Sequence, residues 1–580
     1  MPFFKILLLL FSITLYAQKS TAFATAFATY FEKGNGNTSA NYQEIVRYYK
    51  NLDAHFETIK VVNKGFTDSG EPLQLVYFSS DKTFDPTKIA TTKTVLLINN
   101  GIHAGEPDGI DASMQLFRDL AIGKLKISNN VVIAALTVYN IGGCLNRNTT
   151  SRANQNGPEE YGFRGNARNF DLNRDFIKSD TKNTKSFVEI YQSLHPAIFI
   201  DNHVSNGADY QYALTYIMTE PKKLGTALGT FMQKTITTEI VTDLKLKNTE
   251  STPYVNVDGT TPDNGFTQFF DSPRFATGYT SLFNSIGFVV ETHMLKKYSV
   301  RVKATYDFMV STIKVLQKNA AMLKQMRVEN QLQYQPKSKY VLKWVIDSTA
   351  VSKIPFFGFE ASYKKSNVTV GDRLFYDRNK PFQKQINFYG AYKASKEIII
   401  PDYYVVPKSV WTVTDLLKSN QIKYKILQRD TVITVQSYRI TDYKTSKNPY
   451  EGHYLHSATN VQIITVKKSF FKGDYLISTA QNGVKYLLET LEPEAVDSFF
   501  NWNFFDTILQ QKEGYSDYVF EDLAEEFLVK NPQIKIELEK KKLEEKDFAK
   551  NADAQLNWVY KQSPHYENAH LQYPIYRIIK

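Results

Sequence analysis

Four short, nearly unbroken apolar runs punctuate the first half of the chain: Thr94 to Ile98, Val131 to Tyr139, Ala197 to Ile200 and Phe288 to Val290. A strand that is apolar on both faces must be covered on both faces. The segments between the runs supply the cover, because Asp111 to Leu120 and Asn183 to Leu194 carry apolar residues at helical spacing. The expected fold class is therefore α/β, a mixed, mostly parallel sheet with helices on both faces. In such sheets, ligands gather outside the carboxyl ends of the strands, so the polar residues that follow each apolar run are where chemistry is sought.

Upstream, a helical pattern from Tyr42 to Leu52 precedes two strand-like stretches, His55 to Val62 and Leu73 to Phe78, separated by a turn-rich segment at residues 65–70. From Gln333 the texture changes to short alternating strands, such as Tyr340 to Ile346, Tyr404 to Val406, Asp430 to Val435 and Val461 to Val466. Residues 333–515 are read as a β-rich accessory domain, and residues 516–580 as a helical C-terminal segment. At 580 residues the chain has room for two or three domains.

The first 17 residues read as a cleavable signal peptide, with one early lysine, a short apolar run and Ala17 before the cut. That run is too short to span a bilayer, which takes about 20 residues, and no comparable run follows. Export, to the periplasm or the outside, is the expected location, without a membrane span after cleavage. Cys144 is the only cysteine, so no intramolecular disulfide can form. The formal net charge is +11, but the positive residues are scattered. Even the Lys540-Lys541-Lys542 run lies among glutamates, as on a solvated helix face, so no nucleic-acid partner is expected.

Three polar segments follow apolar runs. Asn99-Asn100-Gly101-Ile102-His103-Ala104-Gly105-Glu106 sits between the first buried strand and a helix, with His103 and Glu106 three apart on a glycine-loosened turn. Such a turn can aim an imidazole and a carboxylate at one point, a ligand mixture that suits zinc. His203 ends the third run in Ile200-Asp201-Asn202-His203. Glu291 closes the fourth, where a carboxylate is costly without a partner. A water acidified by a metal would supply one, with Glu291 taking its proton.

At these residues the chain resembles the zinc carboxypeptidases, in which a His-x-x-Glu pair is followed by a histidine and then a glutamate base. Here His203 stands one hundred residues beyond His103, and Glu291 a further 88. The resemblance covers roughly Tyr42 to Leu323 and makes residues 18–332 the catalytic domain. It implies one zinc ion held by His103, Glu106 and His203, with Glu291 as base.

The segment Phe170-Asp171-Leu172-Asn173-Arg174-Asp175 extends the likeness. It implies that Asn173 and Arg174 grip the free carboxylate of a substrate and that Asp171 orients His103. A guanidinium fork is well shaped for a carboxylate. The family's carbonyl-polarising arginine is assigned to Arg152, with Arg147 and Arg164 as rivals, and its substrate-covering tyrosine to Tyr279. The chain departs from the pattern at Asp175 and at Thr292-His293. On a strand, His293 would share a face with Glu291, as a substrate contact or as a packed residue. Glu451-Gly452-His453 places a second carboxylate and imidazole close together, as another metal would require.

The function implied is an exported metallocarboxypeptidase acting on peptide or protein C-termini. Two alternatives remain at this stage. One is another amide hydrolase on the same scaffold, cell-wall peptides being the second substrate class. The other is a catalytically silent peptide- or glycan-binding protein, against which the presence of Glu291 argues.

Overall fold

The computed structural model describes residues 25–257 and 259–580. The signal sequence expected at residues 1–17 lies outside the described residues. Among the described residues, nine strands belong to the first half: β1 (Ile59–Lys64), β2 (Leu73–Phe78), β3 (Thr94–Asn99), β4 (Val131–Leu136), β5 (Ile198–Ser205), β6 (Leu214–Met218), β7 (Ser251–Pro253), β8 (Phe266–Thr267) and β9 (Ile286–His293). All but β8 form one sheet in the order β1-β2-β4-β3-β5-β9-β6-β7. Its centre, β4-β3-β5-β9, is parallel. Antiparallel pairing enters at β1-β2, β2-β4 and β6-β9.

Strands β2, β3, β4 and β5 are buried at every residue, as their unbroken apolar character demands. The pleat divides β3 between two cores. Val95 and Leu97 face Phe187, Ile190 and Tyr191 of the helix Lys182–Leu194. Leu96 and Ile98 face Ile110, Met114 and Phe117 of the helix Asp108–Ala121, together with Val302, Phe308 and Met309 of the long helix Tyr298–Leu332. The α/β sandwich expected from the apolar runs is thus the architecture of the first half.

The second half contributes β10 (Lys339–Ile346), β11 (Ser352–Lys365), β12 (Asp372–Tyr389), β13 (Tyr392–Ile399), β14 (Tyr403–Val406), β15 (Lys425–Ile426), β16 (Thr431–Thr445), β17 (His456–Phe470), β18 (Tyr475–Ser478) and β19 (Gln572–Ile578). They form the pair β10-β13, the hairpin β11-β12 with β8 alongside β12, and a six-stranded sheet in the order β15-β18-β14-β19-β16-β17. Four helices, Asp517–Lys530, Pro532–Glu544, Lys546–Ala549 and Ala552–Gln562, precede β19.

The final strand departs from the helical reading of the tail. Gln572–Ile578 is extended because β14 and β16 pair with it from either side, a tertiary contact that outweighs local preference. The core beneath the helix Lys182–Leu194 also runs on into the second half, through Tyr404, Tyr486, Trp502 and Tyr573. Among the described residues, no helix is long and apolar enough to cross a membrane.

Candidate metal centre and active-site cavity

The turn after β3 is fixed by buried amides. Asn100 donates to Ser113 Oγ at 2.9 Å and to the Leu136 carbonyl at 2.9 Å, while Asn202 donates to Asn100 Oδ1 at 2.8 Å. Two glycines permit the shape. Gly101 has φ +64°, which favours glycine, and a Cβ there would stand 2.9 Å from Ile110 Cδ1. A Cβ on Gly105 would stand 2.9 Å from the Gly162 carbonyl. The turn thereby brings His103 and Glu106 to the carboxyl end of the sheet, beside His203 near the end of β5.

The ligand atoms of His103, Glu106 and His203 all lie within 4.8 Å of one another, and all three residues are buried. Nδ1 of His103 is 3.2 Å from Glu106 Oε1, and Nδ1 of His203 is 3.2 Å from Glu106 Oε2. The outer nitrogens are held by carboxylates: His103 Nε2 lies 3.0 Å from Asp171 Oδ1, and His203 Nε2 lies 3.0 Å from Asp201 Oδ2. With the Nε2 protons given to those aspartates, both Nδ1 lone pairs point inward with the carboxylate. Two imidazoles and one carboxylate, each ring oriented by an outer acid, are a donor set that fits zinc.

The electrostatics agree with a cation site. Burial opposes charge on Glu106, but Arg152 and His103 outweigh it and hold the carboxyl well below the usual range. Burial likewise opposes charge on His203, yet Asp201 and Glu106 hold its pKa well above the ordinary value. Glu291 behaves differently. Burial pushes it up to about 7, His203 opposes that rise, and Glu106 and Asp201 add to it.

A cavity of about 160 Å³ opens on this cluster. His103, Glu106, His203, Glu291, Asn173 and Arg174 all line it. Asp171 closes the turn that presents the last two: its carboxylate accepts from Asn173 N at 2.9 Å and accepts two hydrogen bonds from Arg164, from Nε at 3.1 Å and Nη2 at 2.8 Å. Arg174 rests over the Phe275 ring at 4.5 Å.

The structure separates the three arginines. Arg147 is spent on Glu160, Ser39 and the Ala40 carbonyl. Arg152 reaches the centre from behind, with Nη1 2.9 Å from Glu106 Oε1 and Nε donating to Gln155. The arginine on the cavity wall is Arg164, whose side chain is 40% exposed against 12% for Arg152. The choice of Arg152 rested on a glycine-rich segment in which sequence offers no register.

Tyr279 is corrected outright. It is fully buried in the aromatic core, donates to Asn420 Oδ1 at 2.6 Å and accepts from Gln192, and so does not reach the cavity. The tyrosine on the wall is Tyr254, just after β7, and no motif around it marks it in the sequence.

Asp201 was also passed over, although its place two residues before His203 on a strand, hence on the same face, was a usable signal. His293 is a packed residue, stacked on Tyr210 at 4.1 Å and 3.0 Å from Asp209. Asp175 serves its own loop, accepting from Asp180 N, Thr181 N and Lys178. Among the described residues, His103, Glu106 and His203 form the one group able to hold a metal, so Glu451 and His453 are not a second site.

Comparison with known proteins gives the same direction. Residues 45–260 match the zinc carboxypeptidase family model, a span that includes His103, Glu106, Asp171, Asn173, Arg174 and His203. The chain is 21% identical over 450 residues to Carboxypeptidase 2 of Trichophyton tonsurans, covering 75% of this chain and 78% of that protein. It is equally similar, over 451 residues, to Carboxypeptidase 2 of Trichophyton rubrum, with the same coverage. Carboxypeptidase A from Helicoverpa armigera aligns in structure with 15% identity and a TM-score of 0.38, over 54% of this chain and 80% of that one. The likeness to the zinc carboxypeptidase family thus spans residues 45–260, the stretch that carries His103, Glu106 and His203.

Proposed function

We propose that this enzyme is exported and removes single residues from the C-termini of peptides, with Glu291 as general base. The observation that carries the reading is one cavity lined both by the His103, Glu106 and His203 donor set with Glu291 and by Asn173 and Arg174. Zinc held by His103, Glu106 and His203 would supply a Lewis acid that polarises a carbonyl and acidifies water.

The remaining steps belong to the chain's own residues. Glu291 accepts a proton from the attacking water and returns it to the departing amine. Arg164, on the cavity wall, donates to the carbonyl oxygen as negative charge develops there, the role expected of Arg152 from sequence. Asn173 and the Arg174 fork hold the terminal carboxylate, so the last peptide bond is the one presented. Asp171 and Asp201 keep the histidine rings oriented, and Tyr254 covers the bound chain end.

The rest of the wall bears on the preferred side chain. It comprises Val204, Ser205, Asn206, Ile217, Phe269, Phe275, Ala276, Thr277 and Val289, with no charged group. A charged substrate residue would lose its hydration there without a partner, so an uncharged, largely apolar C-terminal residue is the substrate class. Export rests on the sequence of residues 1–17 and is read out by N-terminal sequencing of protein recovered outside the cytoplasm.

Zinc content by elemental analysis, with a peptide library varied at the last residue, tests the whole reading. One zinc per chain and release of free apolar residues are expected. Absence of zinc, or cleavage only at internal bonds, overturns it.

A further inference from the structure

The β-rich second half reaches the catalytic centre through one tight turn. Tyr450 N donates to the His453 carbonyl at 2.7 Å and His453 N to the Tyr450 carbonyl at 3.1 Å, closing a two-residue turn on Glu451 and Gly452. Both tip residues have positive φ, +49° and +82°, as in a type I′ turn, where Asn, Asp or Gly is the usual first residue. A glutamate at that position is strained, and strain of this kind points to a use for the side chain.

The use is visible across the interface. Glu451 Oε2 accepts the backbone N–H of Asp171 at 2.8 Å. Asp171 is the residue whose carboxylate holds His103 and Arg164 and caps the Asn173–Arg174 turn. The turn is fastened on both flanks. His453 Nε2 is 2.8 Å from Asp180, and a Cβ on Gly452 would stand 3.2 Å from the Phe170 ring. On the other side Asp497, also of the second half, takes Arg274 Nε at 2.7 Å and Arg274 N at 2.9 Å, immediately before the Phe275 on which Arg174 rests.

We propose that Glu451 is a positioning residue of the active site: by accepting the Asp171 amide, it fixes the turn that orients His103 and presents Arg174 to the substrate carboxylate. The β-rich half is then part of the catalytic apparatus rather than an appended module. The Arg174 part of this inference rests on the carboxypeptidase reading above, whereas the His103 part does not.

The test uses the full-length protein as wild type, Glu451→Ala, Glu451→Asp and Glu451→Gln, with equal folding verified by circular dichroism and thermal melting. Zinc affinity by chelator competition and separate kcat and KM on matched free-acid and amidated peptides are the readouts. Ala removes the acceptor and Asp withdraws it by one methylene, so both should weaken zinc by about tenfold and raise KM for free-acid peptides alone. Gln keeps an acceptor oxygen within reach and should stay close to wild type. Should Ala fail to fold, the contrast between Asp and Gln decides.

Folded Ala or Asp variants with unchanged zinc affinity and unchanged KM overturn the proposal, as does Gln failing alongside Ala. If wild type itself does not prefer free acids, the carboxypeptidase reading fails, and zinc affinity alone still judges Glu451.

Discussion

His203 and Glu291 stand directly opposite one another on the neighbouring parallel strands β5 and β9. The sheet itself therefore sets the spacing between a metal-ligand candidate and the proposed base, with no loop intervening. Glu291→Gln keeps the shape of the side chain but cannot accept the proton. Zinc content and fold should be retained while kcat falls by about 10²- to 10⁴-fold. Turnover like wild type would remove Glu291 from the base role, and loss of zinc would make it a ligand.

The same carboxylate sets a pH dependence. Its pKa is pushed up to about 7 from 4.5, mainly by burial, and a bound cation works against that rise. A base acts when deprotonated, so kcat/KM should fall on the acid side, with a midpoint no higher than about 7. The stability effect has the opposite sense. A carboxyl whose folded pKa is raised contributes stability below its unfolded pKa and loses it as pH climbs through the folded value. Metal-free wild type should thus lose up to about 3 kcal/mol relative to Glu291→Gln between pH 4.5 and 7. Parallel melting curves across that window would contradict this.

Arg164 and Arg152 should separate by what they lose. Arg164→Ala removes a donor from the cavity wall and should lower kcat by about 10²- to 10³-fold with zinc retained. Arg152→Ala removes the nearest cation from the buried Glu106 while His103, His203 and Arg164 remain beside it, so in the metal-free protein it should cost stability, by less than the roughly 3–5 kcal/mol of a fully unpaired buried charge. The cost should shrink once zinc supplies the missing charge. Equal kinetic losses in both variants would refute the division of roles.

Asp201→Asn should weaken zinc binding by about 10- to 100-fold, because a neutral amide is a weaker acceptor for the His203 Nε2 proton than the carboxylate and no longer raises the basicity of the ring. Chelator competition measures this directly. An unchanged affinity would leave Asp201 as a strand residue without influence on the metal.

These residues also mark how far the sequence could be read. The central strands were legible because burial on both faces leaves an unbroken apolar run, and His103, Glu106, His203 and Glu291 because each follows such a run. Arg164 entered only as a rival to Arg152 and Tyr254 not at all, since both come from segments without regular periodicity whose path is set by tertiary contacts. Tyr279 was misread because its local sequence carries no sign of which face of the short helix Ala276–Ser281 turns into the core. The hydrogen bond from Asp171 to Glu451 joins residues 280 apart, and no local pattern records a contact of that span.

Arg174 offers the sharpest separation of an exopeptidase from a general amide hydrolase. Its guanidinium lines the cavity beside Asn173, supported from below by the Phe275 ring. A two-pronged pair with a terminal carboxylate would hold the chain end at a fixed distance from the metal centre, so that only the last peptide bond is presented. Arg174→Ala should therefore penalise free-acid peptides by about 10²-fold or more in kcat/KM, the scale of a charge-assisted pair worth about 3 kcal/mol. Amidated peptides never form that pair and should be nearly unaffected. The measurement is kcat/KM for wild type and variant on matched free-acid and amidated peptides at equal zinc content. An equal loss on both would show that Arg174 serves the fold or general catalysis, and the exopeptidase specificity would fall with it.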